Sequence, residues 1–300
     1  MTTPKISLDQ WRALAAVVDE GGYAQAAVTL YKSQSAVTYA VQKLESVLGV
    51  KVFDLQGRRA VLTPTGTLLY RRASALIAEA AALERAAAML AAGWEAEIRL
   101  AIDVVFPTTI LLAALDRFGN DSPHTRIELI ESVLGGTTEA LLQGRVDLAV
   151  GAQIPQGFLG EPLLPLSFEP VAHPQHPLHQ LGRAVTLDDL REYRQLVVRD
   201  SGSDREASPL ALEARQRWTV GNMSTAILAA AQGYGYGWYP CDKIRDEIEA
   251  GRLKPLPMGN TGSQHSMLYL VFADRDAGGL GVRKLAERLR ECVGGLGDGG

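Results

Sequence analysis

Ser33-Gln34-Ser35-Ala36-Val37-Thr38-Tyr39-Ala40-Val41-Gln42-Lys43-Leu44-Glu45-Ser46-Val47-Leu48 carries two faces that only a helix separates cleanly. Val37, Val41, Leu44 and Leu48 recur at helical spacing, so the stripe they form is expected to be buried. Gln34, Ser35, Thr38, Tyr39 and Gln42 fall on the other side, with Lys43 at its edge. No carboxylate occurs between Gln34 and Gln42, and nearly every side chain on that face both donates and accepts hydrogen bonds. Such groups pair with base edges and phosphates, and a neighbouring lysine adds positive charge. Ser33 stands where an N-cap belongs, so the first turn is free to face a partner. Taken alone, the segment reads equally well as an ordinary amphipathic helix with a solvated polar face.

Its flanks separate the two readings. Gly22 to Leu30 is a short helical run with Gln25 beside the small residues Ala26 and Ala27, and only Tyr31-Lys32 joins it to Ser33. Small residues at that point let a second helix cross closely, as a helix-turn-helix requires. Leu8 to Val18 supplies a third helix, with Leu8, Trp11, Leu14, Ala15 and Val18 on one face. Downstream, Val50 to Phe53 is expected as a strand, Gly57-Arg58-Arg59 as a turn, and Ala60 to Thr63 as a second strand. The result is a winged helix-turn-helix with arginines at the wing tip.

The run AAVTLYKSQSAVTYAVQKLESVLGVKVFDLQGRRAVLTPTG, residues 26–66, resembles the DNA-binding domain of LysR-type transcriptional regulators. The pattern AA-x-x-L-x-x-SQ-[SP]-A-[VL]-[ST] is matched by Ala26, Ala27, Leu30, Ser33, Gln34, Ser35, Ala36, Val37 and Thr38. LE-x-x-LG-x-x-LF is matched by Leu44, Glu45, Leu48, Gly49 and Phe53, and LT-x-x-G by Leu62, Thr63 and Gly66. One position departs: the family commonly has arginine two residues after the Phe, and this chain has Leu55, which leaves Arg58 or Arg59 to supply that phosphate contact. The residues expected to meet DNA are therefore Gln25, Ser33, Gln34, Ser35, Thr38, Tyr39, Gln42, Lys43, Arg58 and Arg59.

Charge is distributed in the same sense. The 300 residues carry a net charge of -4, yet residues 1–93 hold ten Lys/Arg against seven Asp/Glu and are +3, leaving -7 for the remainder. A basic end on an acidic body is the asymmetry of a chain in which one domain meets phosphate. Two cysteines, Cys241 and Cys292, give neither a disulfide framework nor metal-ligand spacing and are expected to be reduced thiols. The N-terminus lacks an apolar signal core, and no run of about 18 apolar residues is long enough to span a bilayer. A cytoplasmic protein is expected.

No Gly or Pro interrupts the Ala-rich segment between Gly66 and Gly93, so a long helix is expected. Leu69, Leu76, Leu83 and Leu90 repeat every seven residues, with Ala73, Ala80 and Ala87 between them. This is an a/d heptad whose alanines let two helix axes approach, which suits a dimer seam better than packing on the chain's own core. Two-fold DNA half-sites call for such a partner. The resemblance implies an antiparallel pairing through this helix, and tetramers through the remaining domain.

From Gly93-Trp94 onward, strands and helices alternate. Strands at Ile98–Ile102, Thr125–Glu131 and Asp147–Gly151 flank helices at Pro107–Phe118 and Thr137–Gln143, the rhythm of a parallel sheet. A second set follows, with strands at Glu169–His173, Gln195–Arg199, Arg217–Val220 and Gly235–Tyr239, and helices near Ser208–Gln216, Ser224–Gln232 and Cys241–Ala250. Met267–Ala273 is a returning strand and Leu280–Val293 a closing helix. The fold class is thus α/β with an N-terminal all-α winged helix-turn-helix. Residues 1–66 are expected to be the DNA-binding domain, 67–93 the dimerisation helix, and 94–300 the effector domain. The resemblance implies that the last is two-lobed, like periplasmic binding proteins, with one lobe at 95–164 plus 267–300 and the other at 165–266.

Two α/β units joined by chain crossings leave a cleft, and such sheets bind ligands beyond the carboxyl ends of their strands. The expected effector contacts lie on loops there: Asp103, Val104, Val105, Phe106 and Thr108; Leu134 and Gly135; Ser201 and Ser203; Met223 and Ser224. Free N–H groups at helix starts favour an anion such as an organic acid. Many relatives have Ser or Thr where this chain has Asp103-Val104-Val105, which keeps an amine or hydroxylated ligand open, and Asp103 reads equally as a turn-capping carboxylate. His173, His176 and His179 sit among prolines and read as a surface loop rather than a metal site. Gly233 to Gly237 lacks phosphate-loop spacing, and no nucleophile elbow occurs. No catalytic residue, metal or cofactor is expected. The reading is a ligand-responsive, homo-oligomeric DNA-binding transcriptional regulator, not an enzyme, with DNA, a small effector and RNA polymerase as partners. The alternative is a DNA-binding regulator or architectural protein with no effector.

Overall fold

The computed structural model describes residues 3–56, 59–203, 210–259, 262–274 and 278–295, without the side chains of Leu55, Gln56 and Arg59. The chain divides into two compact units, residues 1–92 and 93–300.

In the first unit, Ser7 and Gln10 close a reciprocal cap on α1 (Leu8–Asp19), with the Ser7 N–H donating to Gln10 Oε1 at 2.9 Å. α1 is covered on more than the one face its periodicity suggests. Ala13, Ala16 and Val17 pack with Ala26, Ala27, Val37 and Val41, while Leu14 packs with Ile6, Leu44 and Val52. Leu8 is 38% exposed. α2 (Tyr23–Thr29) and α3 (Gln34–Leu48) are joined through Tyr31, whose φ of 52° makes the turn. β1 (Phe53–Gln56) and β2 (Arg59–Leu62) pair antiparallel from Phe53↔Leu62 to Gln56↔Arg59.

The first wing strand begins at Phe53 rather than Val50, because the Val52 N–H is held by the Glu45 carboxylate at 2.7 Å instead of by a partner strand. Leu48 is 40% exposed rather than buried: the helix ends at Gly49 (φ 68°), and Val52 takes the place beside Leu44.

α4 (Pro64–Ala91) starts three residues before the expected boundary and belongs to the first unit. Thr63 caps it, its Oγ1 accepting from the Gly66 N–H at 2.8 Å. A Cβ at position 66 would stand 2.1 Å from the Val52 carbonyl oxygen, so the crossing admits only glycine. The heptad is split. Ala73 is buried and Leu69 is partly buried against the core of its own unit, whereas Leu76, Leu83 and Leu90 are exposed.

The second unit begins with β3 (Glu97–Asp103), α5 (Thr108–Asp121), β4 (Arg126–Ser132), α6 (Gly135–Leu142) and β5 (Leu148–Gly151). β3 lies parallel to both β4 and β5. β6 (Gly160–Ala172) then leads to α7 (Leu187–Arg191), β7 (Arg194–Val198), β8 (Gln216–Val220), α8 (Met223–Ala231), β9 (Tyr236–Pro240) and α9 (Cys241–Glu249). β10 (Lys254–Pro255), β11 (Gln264–Phe272) and α10 (Leu280–Gly294) complete it. β6 and β11 run antiparallel along much of their length, β11 pairing onward with β5 and β6 with β9. These two strands are the crossings between lobes. The expected boundary at 164/165 falls between the pairs Leu164↔Leu268 and Pro165↔Met267, and that at 266/267 between Pro165↔Met267 and Leu166↔Ser266.

The helix expected near Ser208–Gln216 is absent from the described part of that stretch, Leu210–Arg215. Buried Gln195 explains this. Its Nε2 donates to the Leu210 carbonyl at 2.6 Å and its Oε1 accepts from the Leu212 N–H at 2.8 Å, occupying main-chain groups a helix would use. Gln216 then enters β8. The histidine loop is also not wholly on the surface. His176 is 8% exposed, its ring 5.2 Å from that of Tyr193, and a 3-10 turn starts at Pro177.

Candidate functional site

α3 presents the polar face outward. Ser33 Oγ accepts from the Ala36 N–H at 3.2 Å and lies 3.0 Å from Ser35 Oγ, so the helix start is fixed by two short hydroxyls. Gln34, Ser35, Gln42 and Lys43 are exposed, Tyr39 is 66% exposed, and Gln25 is exposed on α2. Thr38 is half-buried, and its hydroxyl donates to the Gln34 carbonyl at 2.9 Å. What Thr38 can still offer a partner is a lone pair and a methyl group. Lys32 is held by Asp9 at 2.9 Å. Arg58 lies outside the described residues, as do the side chains of Arg59 and Leu55.

Sequence reading assigned Glu45 no role beyond the motif. Its Oε1 accepts from the Val52 N–H at 2.7 Å and the Phe53 N–H at 3.4 Å, while Lys51 reaches Oε2 at 3.3 Å. One carboxylate thereby ties α3 to the wing. Its signal was the spacing of an acid to a β-rich run after a helix-ending glycine.

In the second unit, a cavity of about 350 Å³ lies between the lobes. Four of the expected residues line it: Asp103, Val105, Leu134 and Met223. The other seven do not. Val104 donates its N–H to the Ser132 carbonyl at 2.9 Å, and Phe106 is buried in the hydrophobic core. Thr108 Oγ1 accepts from Lys243 Nζ at 2.6 Å. Ser224 is exposed at the α8 start, where its N–H donates to Asn222 Oδ1 at 2.8 Å.

Gly135, Ser201 and Ser203 instead close the lobes on each other. Ser201 Oγ accepts from the Val133 N–H at 2.9 Å, and the Ser201 N–H donates to the Val133 carbonyl at 3.2 Å. The Ser203 N–H donates to Glu139 Oε2 at 2.6 Å, which holds the Glu139 carboxyl below its ordinary value. Gly136 has no room for a side chain, since a Cβ there would lie 1.9 Å from Ser201 Oγ. Gly135 stands against Asp200.

Asp103 is the buried polar centre of the wall, 2% exposed. Its Oδ1 accepts from the Val105 N–H at 3.1 Å and its Oδ2 from the Leu134 N–H at 2.9 Å, so both the turn-capping role and the cavity position hold. Burial pushes its carboxyl up to about 6, with Asp200 adding to the rise and the two N–H donors and Lys243 opposing it. Other parts of the wall were missed from sequence, among them Phe168, Gln195, Trp238 and Tyr239, with Gln153 and the Gln264–Ser266 segment. Among the described residues no group of three or more His, Cys, Asp or Glu is placed to hold a metal ion, and no helix is long and apolar enough to cross a membrane.

Comparison with known proteins agrees with both halves. Residues 8–67 match the bacterial regulatory helix-turn-helix protein family of the lysR type, and residues 91–293 match the LysR substrate binding domain. The uncharacterized HTH-type transcriptional regulator YeeY of Escherichia coli K12 is 32% identical over 82% of this chain and 81% of its own length. The fold is that of ArgP from Mycobacterium tuberculosis, at a TM-score of 0.56 and 22% identity over 95% of this chain and 97% of that one. It is also that of full-length LysG from Corynebacterium glutamicum with its effector Arg bound, at a TM-score of 0.50 and 18% identity over 96% and 98% of the two chains. The chain belongs to the LysR-type family of DNA-binding transcriptional regulators with an effector-binding domain.

Proposed function

We propose that α3 enters the major groove and reads bases through Gln34, Ser35, Thr38 and Gln42, while Lys43 and the wing arginines meet phosphate. A small effector between the lobes then biases their closure and so the spacing of paired reading helices on DNA. The observation that carries this is the acid-free, exposed first turn of α3, capped by Ser33 and braced to the wing by Glu45. The exposed leucines Leu76, Leu83 and Leu90 support a helix-to-helix seam between two copies, entered beyond Ala73 rather than at Leu69. The contacts at Val133–Ser201 and Thr108–Lys243 cross the cleft, so opening it would have to break them.

A salt titration of DNA binding, with the gene's own upstream region against a scrambled duplex, tests the reading. Preference for the native region that persists as salt rises supports base readout. Affinities that are equal and collapse together with salt remove it. Gln34→Ala is expected to relax sequence preference, whereas Lys43→Ala weakens all duplexes and lowers the salt slope by about 1.

A further inference from the structure

The wall of the interlobe cavity holds one carboxylate and, among the described residues, no lysine or arginine. What this implies for the ligand rests on the reading of that cavity as the effector site. Most of the buried polar groups there already have partners within the chain. Gln195 grips the main chain at Leu210 and Leu212. The Trp238 indole donates to the Gly262 carbonyl at 2.9 Å, and the Tyr239 hydroxyl donates to the Ala226 carbonyl at 3.1 Å. These two residues offer a ligand ring surface rather than a free donor, and Phe168 and Met223 extend the apolar area.

Asp103 differs from them. Each of its oxygens accepts one backbone N–H, and an ionised carboxylate has about four acceptor sites, so about half remain open. Its charge has no ion-pair partner in the wall. Lys243 is near enough to favour ionisation, but its ammonium donates to Thr108 and does not line the cavity. Asp200, 7% exposed, adds a second negative charge nearby. At the rim, His265 Nδ1 lies 3.0 Å from Ser167 Oγ on the neighbouring strand. An organic anion placed here would sit against a buried carboxylate without a counter-charge, which is strongly unfavourable. A protonated nitrogen supplies both the missing charge and the missing donors, and aromatic faces stabilise it further.

We propose that the effector is a nitrogen base, an amine or comparable cationic donor on a compact aromatic or branched apolar body, with its nitrogen directed at Asp103, and that organic acids are excluded.

Two charge series on fixed rings test this by titration calorimetry on the full chain at pH 7.5. One is tryptamine, tryptophol and indole-3-acetate; the other is phenethylamine, 2-phenylethanol and phenylacetate. The amines are expected to bind about tenfold or more tighter than the alcohols, with the carboxylates weakest, and the Asp103→Asn variant to bring amine and alcohol within about threefold of each other. The wild-type series stands even if that variant folds poorly. Alcohols as tight as amines would overturn the role of charge. Carboxylates binding tightest would overturn the proposed ligand class while leaving the cavity as the effector site. No heat and no rise in melting temperature with any of the six would overturn both.

Discussion

Glu45 in the first unit and Asp103 in the second do the same mechanical work in opposite electrical settings. Each carboxylate accepts two main-chain N–H groups and so fixes a loop: Glu45 holds Val52 and Phe53, and Asp103 holds Val105 and Leu134. Glu45 has a lysine on its second oxygen, and Lys51 itself is largely exposed. Asp103 has another carboxylate, Asp200, as a neighbour, and its carboxyl is pushed up to about 6 by burial. A carboxylate whose charge is matched within the chain is a brace. One whose charge is left unmatched beside a cavity is a brace that also has something to offer a ligand.

The largest effect is expected where the brace alone matters. Glu45→Ala strips the acceptor from two main-chain N–H groups and should destabilise the first unit by about 3 kcal/mol. Urea denaturation followed by circular dichroism should show an early transition, with specific DNA binding lost and amine binding in the cleft unchanged. A loss below about 1 kcal/mol would mean that water replaces the carboxylate at little cost and that wing and helix are held by packing.

The second effect is electrical and has a sign. In the folded chain Asp103 keeps its proton up to about pH 6, whereas its ordinary value is 3.8. Between those values the folded state binds more protons, so stability falls as pH rises, and the full penalty is present above about 6. From pH 4 to pH 7 the unfolding free energy of the wild type should drop by about 2–3 kcal/mol relative to Asp103→Asn. A difference between the two proteins that stays flat across that range would show that Asp103 titrates as an ordinary surface acid. A cationic ligand should reduce the drop, because it stabilises the ionised form.

The two carboxylates also show what sequence alone makes legible. The proposed reading face lies on one helix, so Gln34, Ser35, Tyr39, Gln42 and Lys43 are neighbours in space because they are neighbours at helical spacing. Most of the α/β alternation was likewise written in local periodicity. The cavity wall is not local. Phe168, Gln195, Trp238 and His265 come from four strands, and they meet only because β6 and β11 cross between lobes with a particular register. Apolar residues on a cavity wall carry the same periodicity as apolar residues in a core. Loop position after a strand therefore found Asp103 and Leu134 but also drew in Phe106, which is core, and Ser201 and Ser203, which close the lobes. The missing helix before β8 has the same origin: Gln195, fifteen residues upstream of Leu210, overrides local preference.

A third, smaller effect separates closing contacts from cavity wall. Ser201→Ala removes the acceptor of the Val133 N–H and should cost about 1 kcal/mol, with faster amide exchange concentrated at Val133 and its neighbours. Amine affinity should change less than it does in Asp103→Asn, since Ser201 does not line the cavity. If affinity falls as far as in the Asp103 variant, closure and charge are not separable in this cleft.

The smallest effect tests how finely the reading helix can be resolved. The Thr38 hydroxyl hydrogen is already engaged by the Gln34 carbonyl one turn back, so only a lone pair and the methyl are left to offer a base. Thr38→Val keeps the methyl and removes the lone pair, and is expected to weaken binding to the native duplex by about threefold or less. Thr38→Ser keeps the hydroxyl and removes the methyl. If Thr38 reads a thymine methyl, the serine variant loses more than the valine variant, and the loss is confined to duplexes with thymine at one position. If the valine variant loses more, the lone pair accepts from a base amino group, and discrimination at that position should follow cytosine or adenine instead. Equal losses on every duplex would place Thr38 over the backbone and shift base readout toward Gln34, where the side-chain amide has no partner within the helix.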